Sequence, residues 1–226
     1  MAKRKPRSER GFASFEVSIA DRRLIFRTQP GVFSHGAADQ GTLLLLRVVQ
    51  PEVRPHQRIL DLGAGAGILG ICLAADVPRG EVWLADSDIR AVRLTEENIG
   101  LNGLENARAF LSDITMDLPS GKFDLVVSNP PTHSGKEVLE AFINEAFDAL
   151  RPGGHAYLVV NRLLSAKHML EGCFGNVETV AHHKGFMVLR SEKQRREKSG
   201  GGERSSTGGA HDEAHGERSP RHGSQR

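Results

Sequence analysis

The sequence has little of what stabilises secreted or membrane proteins. Its two cysteines, Cys72 and Cys173, do not have metal-ligand spacing, and a reduced intracellular protein is predicted rather than a disulfide framework. The longest apolar run, at residues 43–49, is far too short to span a bilayer, and no secretory signal follows the basic N-terminus. These absences predict a cytoplasmic protein with neither a membrane partner nor a metal site.

Strong net charge is also absent from most of the chain. The whole chain carries +2, whereas residues 1–10 carry +4 and residues 191–226 carry +2, so residues 11–190 carry −4. This balance excludes a broad basic face for nucleic acid on the body, although it allows a local patch. We predict a basic disordered arm at 1–10, one folded domain at 11–190, and a disordered tail at 191–226 rich in Gly, Ser, Arg, Glu and His.

What the chain does have is a regular alternation of short apolar runs and amphipathic segments. Runs at 58–61, 81–85, 106–111, 123–127 and 156–160 predict strands, and segments at 68–75, 88–99, 136–150 and 165–172 predict helices. This alternation predicts an α/β fold with a doubly wound parallel sheet. A small N-terminal β element at 15–26, a helix at 40–50 and a terminal hairpin at 177–189, which adds an antiparallel strand, complete the prediction.

The segment Ser128-Asn129-Pro130-Pro131 follows the predicted strand at 123–127. Two prolines cannot extend a strand, because neither has an N–H for the ladder. An amide side chain and stiff backbone carbonyls therefore lie at the carboxyl end of a central strand, where open α/β sheets bind ligands. The alternative interpretation is a turn that only ends the strand.

The segment Asp61-x-Gly63-x-Gly65-x-Gly67 leaves the first strand and enters a helix, and its glycines let the backbone approach a ligand. The residues allow two classes of ligand at this segment. The run from Gly65 to Gly70 formally matches the dinucleotide fingerprint, with a pyrophosphate at the helix N-terminus. The acidic residue two positions before the glycines suits a cationic amino-acid nucleoside instead, with Asp61 near its positive end.

Carboxylates also follow the next two predicted strands. Asp86 ends the second strand, where it can accept hydrogen bonds from both hydroxyls of a ribose. Asp113 follows the third strand and can accept from an adenine amine. Asp88 is better explained as the N-cap of the next helix.

Taken in this order, the glycine segment with Asp61, then Asp86, Asp113 and Asn129-Pro130-Pro131, resemble the class I S-adenosylmethionine-dependent methyltransferases that methylate exocyclic nitrogens. Residues 11–190 are further similar to the small-domain methyltransferases, which include rRNA guanine 2-amino methyltransferases, and especially to their single-domain archaeal-type members. The small-domain likeness is carried by Pro30-Gly31-Val32-Phe33-Ser34, Asp39, Gly41-Thr42 and Ser128-Asn129-Pro130-Pro131-x-His133-x-Gly135. The archaeal-type likeness is carried by Gly135-Lys136-Glu137-Val138-Leu139 and by the run from Phe174 to Val180. The resemblance implies a Rossmann-like seven-stranded sheet with an antiparallel last strand.

The resemblance also implies S-adenosylmethionine as cofactor and RNA, as rRNA or a ribosomal subunit, as partner. Asn129 and the carbonyl of Pro130 would accept the two hydrogens of a base amine, so that catalysis is mostly positioning and electrostatics. Many members have an aromatic residue after the prolines to stack on the base. Here that position is Thr132, which makes Phe33 the candidate stacking residue. His133 is a candidate relay for the departing proton.

Three alternatives stay open from the residues themselves. The Asn-Pro-Pro geometry suits any planar amine, including a protein glutamine, and the formal fingerprint suits a nicotinamide-dependent oxidoreductase. A fold without turnover would be an RNA-binding module, against which Asp61, Asp86 and Asn129 argue. The basic arm at 1–10 is expected to contact RNA phosphates.

Overall fold

The computed structural model describes residues 12–19, 22–32, 38–112, 119–131, 135–161 and 164–195. The predicted arm at 1–10 and residues 196–226 of the predicted tail lie outside the described residues. The strands are β1 (Ala13–Ile19), β2 (Arg22–Thr28), β3 (Arg58–Leu62), β4 (Glu81–Asp86), β5 (Ala107–Leu111), β6 (Phe123–Ser128), β7 (Leu150–Asn161), β8 (Glu178–His183) and β9 (Phe186–Glu192). The helices are α1 (Gln40–Val49), α2 (Ile68–Asp76), α3 (Ile89–Leu101), α4 (Lys136–Ala149) and α5 (Leu164–Phe174).

Seven of these strands form one sheet in the order β5-β4-β3-β6-β7-β9-β8. The pairs from β5 to β7 are parallel, whereas β9 runs antiparallel to both β7 and β8. Strands β1 and β2 form a separate antiparallel pair. The predicted doubly wound sheet with an antiparallel last strand and a small N-terminal β element is therefore confirmed.

Helices cover both faces of the seven-stranded sheet, which explains why its central strands are apolar runs rather than alternating patterns. On β3, Ile59 packs into a core with α1, α2 and α3, and Leu60 packs into a second core with α4 and α5. Both side chains are completely buried. The two cores fix the central strands, whose carboxyl ends carry the predicted site.

Strand β7 begins earlier than the sequence predicts. The sequence predicts a strand at 156–160 after a helix that ends at residue 150. In the structure, Leu150 already pairs with Phe123 of β6. A register shift between Phe123 and Leu125 accommodates the proline and glycines of the segment. Backbone bonds between Gly153, Gly154 and Lys193 hold this segment beside the chain that follows β9. Tertiary pairing thus overrides the local turn signal.

Asn98 of α3 and Asn102, the C-cap residue of that helix, hold the β1–β2 pair against the sheet domain. Asn98 is fully buried; its Oδ1 accepts from the N–H of Arg27 at 2.8 Å, and its Nδ2 donates to the carbonyls of Arg27 and Ala66 at 3.0 and 2.8 Å. Asn102 makes a similar pair of bonds, both exposed, with the backbone of Ile25, and its Nδ2 also donates to the carbonyl of Asn98. Asn98 therefore joins three segments, including the loop that follows β3.

Asp61 of β3 acts as a cap for the next helix. It is 1% exposed, and its carboxylate accepts from the N–H of Gly70 at 2.8 Å. Gly70 lies in the first turn of α2, whose N-cap residue Gly67 makes no side-chain capping bond, so Asp61 supplies the missing acceptor. Burial is the main reason that the pKa of Asp61 rises from 3.8 to about 7; the Gly70 bond lowers it, and the charge of Asp86 raises it.

Both cysteines are free, and Cys72 is buried. In the described parts of the chain, no helix is long and apolar enough to cross a membrane.

We expect Asn98→Ala to lower the free energy of unfolding by about 3 kcal/mol, because each buried polar group left without a partner costs about 1–3 kcal/mol. Asn102→Ala is the matched control, since water can replace its exposed bonds, and we expect a loss of about 1 kcal/mol. Equilibrium unfolding in urea measures both. Equal losses for the two variants would show that burial of the Asn98 bonds is not what stabilises this junction.

The raised pKa of Asp61 predicts a pH-dependent stability. Folding favours the neutral form of Asp61. Its contribution to the free energy of unfolding is therefore fully present below about pH 4, near its ordinary pKa of 3.8, and is lost as the pH rises through about 7. In the wild type we expect the free energy of unfolding to fall by on the order of a few kcal/mol between these two pH values, and we expect Asp61→Asn to abolish this fall. Urea unfolding of both ligand-free proteins from pH 4 to 8 measures it. Glu145 and His155, whose pKa values are also shifted, titrate in both proteins. Parallel curves would contradict the assignment to Asp61.

Candidate active site

The carboxyl ends of β3, β4 and β6 lie side by side and surround a cavity of about 280 Å³. Its lining residues come from the ends of strands β3 to β6, the loops that follow them and the start of α4: Leu62, Gly63, Gly65, Ala85, Asp86, Ser87, Ser112, Asn129, Pro131, Val138 and Phe142. The structure thus brings together five residues that the sequence predicted separately, namely Gly63, Gly65, Asp86, Asn129 and Pro131.

The glycine loop, residues 63–67, folds tightly against its neighbours. The N–H groups of Gly63 and Ala64 both donate to the carbonyl of Ala85 at the end of β4. A Cβ atom on Gly63 would lie 2.8 Å from the ring of Phe142, and one on Gly67 would lie 2.8 Å from Thr95. These two glycines are therefore required by close packing, and they hold the loop at the rim of the cavity.

Asp86 fixes the loop from the end of β4. Its Oδ2 accepts from the N–H of Gly65 and its Oδ1 accepts from the N–H of Asp88, both at 2.8 Å. Asp88 in turn caps α3 by accepting from the N–H of Arg90, as the sequence predicted. Each Asp86 oxygen keeps a second lone pair, and the residue lines the cavity. Its carboxylate is thus held ready to accept from a ligand.

Asn129 follows β6 and is held from the side of α1. Its Nδ2 donates to Oδ2 of Asp39 at 2.5 Å and to Oγ1 of Thr42 at 3.0 Å. The preceding Ser128 is buried, and its hydroxyl donates to the carbonyl of Leu62, which ties the end of β6 to the end of β3. Pro130 is buried and Pro131 is exposed. The Asn-Pro-Pro segment is therefore part of a fixed edge and not only a turn.

Asp61 lies beside a second, smaller cavity at this edge of the sheet. Besides capping α2, it borders a cavity of about 20 Å³ that Thr42 and Asn129 also line, large enough for about one water molecule. Its side chain is not among those around the larger cavity. A direct contact of Asp61 with a cofactor stays a prediction.

The charge around the larger cavity selects between the two ligands that the sequence left open. Asp86 already occupies the N–H of Gly65, and Asp61 occupies the N–H of Gly70 in the first turn of α2. Among the described lining residues there is no basic side chain. A pyrophosphate would meet two carboxylates where it needs free donors, whereas a cationic ligand is favoured.

Four predicted site residues, Phe33, Asp113, Thr132 and His133, lie outside the described residues, and their roles stay predictions. Ser112, which directly precedes Asp113, lines the cavity.

Sequence reasoning missed some of the cavity walls and the support of Asn129. Val138 and Phe142 belonged to the predicted apolar stripe of the helix at 136–150, where they were assigned to the core. Their position in the first two turns after the Asn-Pro-Pro segment is the signal that could have placed them in the site. The sequence indicated Asp39 and Thr42 only as residues that match the family motif, with no role in the site. Asp39 before an apolar helix is a capping signal, but nothing local connects it to Asn129.

The sequence matches the model of the family described as methyltransferase small domain over residues 23–190. It is 36% identical over 183 residues to the ribosomal RNA small subunit methyltransferase C of Pseudomonas entomophila, an alignment that covers 79% of this chain and 54% of that protein. The protein of the same name from Vibrio cholerae is 33% identical over 189 residues, with 82% and 54% covered. The chain thus spans about half the length of the curated relatives it matches.

Solved structures agree with this result. The T. thermophilus 16S rRNA N2 G1207 methyltransferase RsmC, in complex with AdoMet and guanosine, superposes with a TM-score of 0.73 at 34% identity, over 85% of this chain and 53% of that one. A methyltransferase from Pyrococcus furiosus has a TM-score of 0.64 at 21% identity, over 76% and 90% of the two chains, and shows the fold alone. Together with the family match over most of the sheet domain, these likenesses establish that the chain belongs to the methyltransferase small domain family.

Proposed function

We propose that this protein transfers a methyl group from S-adenosylmethionine to the exocyclic amine of guanine in ribosomal RNA. The observation that carries the proposal is the cavity of about 280 Å³ at the carboxyl edge of the sheet, where the glycine loop, Asp86 and Asn129 lie together. The likeness to enzymes named for small-subunit rRNA methylation, and to a structure with AdoMet and guanosine, supports the choice of substrate. We expect the enzyme to act on this RNA within a ribosomal subunit in the cytoplasm.

The residues around the cavity fit the cofactor. S-adenosylmethionine supplies a methyl group on a sulfonium centre, which is electrophilic and carries positive charge. Asp86 would accept from the ribose hydroxyls, and the apolar surfaces of Leu62, Val138 and Phe142 would contact the uncharged parts. The carboxylate of Asp86 lies in the wall of the cavity, and its negative charge favours the cation.

The role of Asn129 follows from the weakness of the nucleophile. The lone pair of a base amine is delocalised into the ring, so the amine is a poor nucleophile. It attacks the methyl group well only when its two hydrogens are held away from the path of attack. The side-chain oxygen of Asn129 and the carbonyl of Pro130 would accept these two hydrogens and direct the lone pair into the cavity. No strong base is needed if the proton leaves after the new bond forms.

The structure gives less support to the alternative functions than to methyl transfer to guanine. An oxidoreductase needs a pyrophosphate site, which the carboxylates at Gly65 and Gly70 disfavour. A non-catalytic RNA-binding module does not need Asn129 held by two acceptors beside the cavity. A protein glutamine or another small amine would use the same geometry, and product analysis separates these substrates from guanine.

The reaction itself is tested with labelled S-adenosylmethionine and small ribosomal subunits from a strain that lacks the corresponding methylation. We expect label in RNA and N2-methylguanosine among the nucleosides found by mass spectrometry. Label in protein, or none in RNA, would overturn the proposed substrate.

Asp86→Ala should weaken binding of S-adenosylmethionine about ten- to a hundredfold, because hydrogen bonds to a charged group contribute about 1.5–3 kcal/mol. Isothermal titration calorimetry measures the dissociation constant. Asp124→Ala is the matched control, since Asp124 also accepts from a backbone N–H, that of Arg58, but at the opposite end of β6. Equal affinities of Asp86→Ala and the wild type would remove Asp86 from the cofactor site.

Asn129→Ala should lower the single-turnover rate of methyl transfer about a hundred- to a thousandfold, the usual effect of removing a transition-state hydrogen bond. Binding of the cofactor should change much less, because the contacts proposed for it lie at the ends of β3 and β4 and on α4 rather than at Asn129. Rapid-quench measurement with saturating labelled cofactor separates the two quantities. A wild-type rate in the variant would reduce Asn129 to a residue that ends a strand.

A further inference from the structure

We infer that Asp39, together with Thr42, is a positioning residue that turns the side-chain oxygen of Asn129 toward the substrate. The inference deepens the proposed function and rests on it, since it takes the substrate to be an amine held by that oxygen. Asp39 lies 90 positions before Asn129 in the sequence, on a different element, yet their side chains are in direct contact.

The carboxylate of Asp39 is itself fixed by the start of α1. As the N-cap residue, it has extended backbone angles, φ −70° and ψ 151°. Its Oδ1 accepts from the N–H of Gly41 at 2.9 Å, and its Oδ2 accepts from the N–H and the hydroxyl of Thr42 at 2.9 and 2.8 Å. Three bonds in one helical turn therefore orient the acceptor that Asn129 meets.

The start of α1 is in turn pressed against the sheet. The helix packs on β7, β8 and β9. A Cβ atom on Gly41 would lie 3.2 Å from the ring of Phe186 at the start of β9. Strand β9 runs antiparallel, so its first residue lies beside Asn161, at the same edge of the sheet as the end of β6. Packing on the antiparallel strand thus places Asp39 beside Asn129.

The chemistry of these neighbours allows only one orientation of the Asn129 amide. An ionised carboxylate only accepts hydrogen bonds. The hydroxyl of Thr42 has one proton, which it gives to Asp39, so toward Asn129 it can only accept as well. Both neighbours demand a donor, and Nδ2 must face them. Because the amide is planar, Oδ1 is then turned away from Asp39.

Without this support the amide could rotate. The last torsion of an asparagine side chain is broad and roughly two-fold, so its oxygen and nitrogen exchange places easily. The flipped form would offer two N–H groups to an amine that needs acceptors. The charged partner also polarises the amide, which makes Oδ1 a stronger acceptor. Asp39 therefore selects the productive orientation and strengthens it.

Asp39→Ser tests the inference without removing the helix cap. Serine is as good an N-cap as aspartate, but its short side chain cannot reach Asn129. We expect kcat to fall on the order of tenfold to a hundredfold, since a misplacement of about 1 Å can cost a hundredfold. The dissociation constant for S-adenosylmethionine should stay within about twofold of the wild-type value, a split that general destabilisation would not produce. Wild-type kcat in Asp39→Ser would overturn the inference.

Two further variants decide whether Asp39 acts through Asn129. In the background of Asn129→Ala, Asp39→Ser should have no additional effect on kcat; a loss that adds to that of Asn129→Ala would show that Asp39 acts elsewhere. Gln50→Ala is the matched control at the other end of α1, where the Gln50 amide donates to Asp76 at 2.8 Å. It should keep wild-type kcat.

A measurement without RNA separates this inference from the proposed function. In ¹H–¹⁵N spectra, the side-chain amide of Asn129, assigned by its loss in Asn129→Ala, should show the shifts of a hydrogen-bonded amide. Asp39→Ser should shift it toward the position of a free amide, because only the bond to Thr42 is left, and this holds whether or not the RNA is a substrate. An unchanged resonance would overturn the contact. Failure of the wild type to methylate RNA, with the resonance shifted as expected, would refute the proposed substrate only.

Discussion

Parallel pairing of β3 with β4 on one side and β6 on the other is the constraint on which the site depends. The three strands end at one edge of the sheet, so the residues that follow them must meet there, however far apart they are in the sequence. The buried bond from Ser128 to the carbonyl of Leu62 locks two of these ends together. Helices on both faces bury the strands, and no single loop has to build the cavity by itself.

Three carboxylates surround this edge, and each also stabilises the fold. Asp61 accepts from an N–H of α2, Asp86 from the N–H of Gly65, and Asp39 from the first turn of α1. Of these three acids, Asp86 lines the larger cavity and makes its wall negative. The arrangement has an energetic cost, which appears in the raised pKa of the buried Asp61. The charge of Asp86 at the cavity wall favours a positively charged occupant.

Most of the architecture could be predicted from the sequence, because apolar runs, amphipathic segments and the proline and glycine boundaries are local signals. The start of β7 could not, since the pairing of Leu150 with Phe123 prevails over a Pro-Gly-Gly turn signal. Within the site, the glycine loop, Asp86 and Asn129 were predictable because each lies at the end of a strand or directly after it. The contact of Asn129 with Asp39 was not, because it joins side chains from elements that only the packing of α1 on β9 brings together.

That contact also limits how the site can diverge. A carboxylate at position 129 would accept amine hydrogens as well as the amide does, but Asn129→Asp alone would place it 2.5 Å from Asp39, where two negative charges cannot coexist without a shared proton. The two positions are therefore expected to covary: an acid at one requires a donor or a neutral side chain at the other. Across an alignment, this coupling would appear as a pair of correlated columns, although neither residue is near the other in the chain.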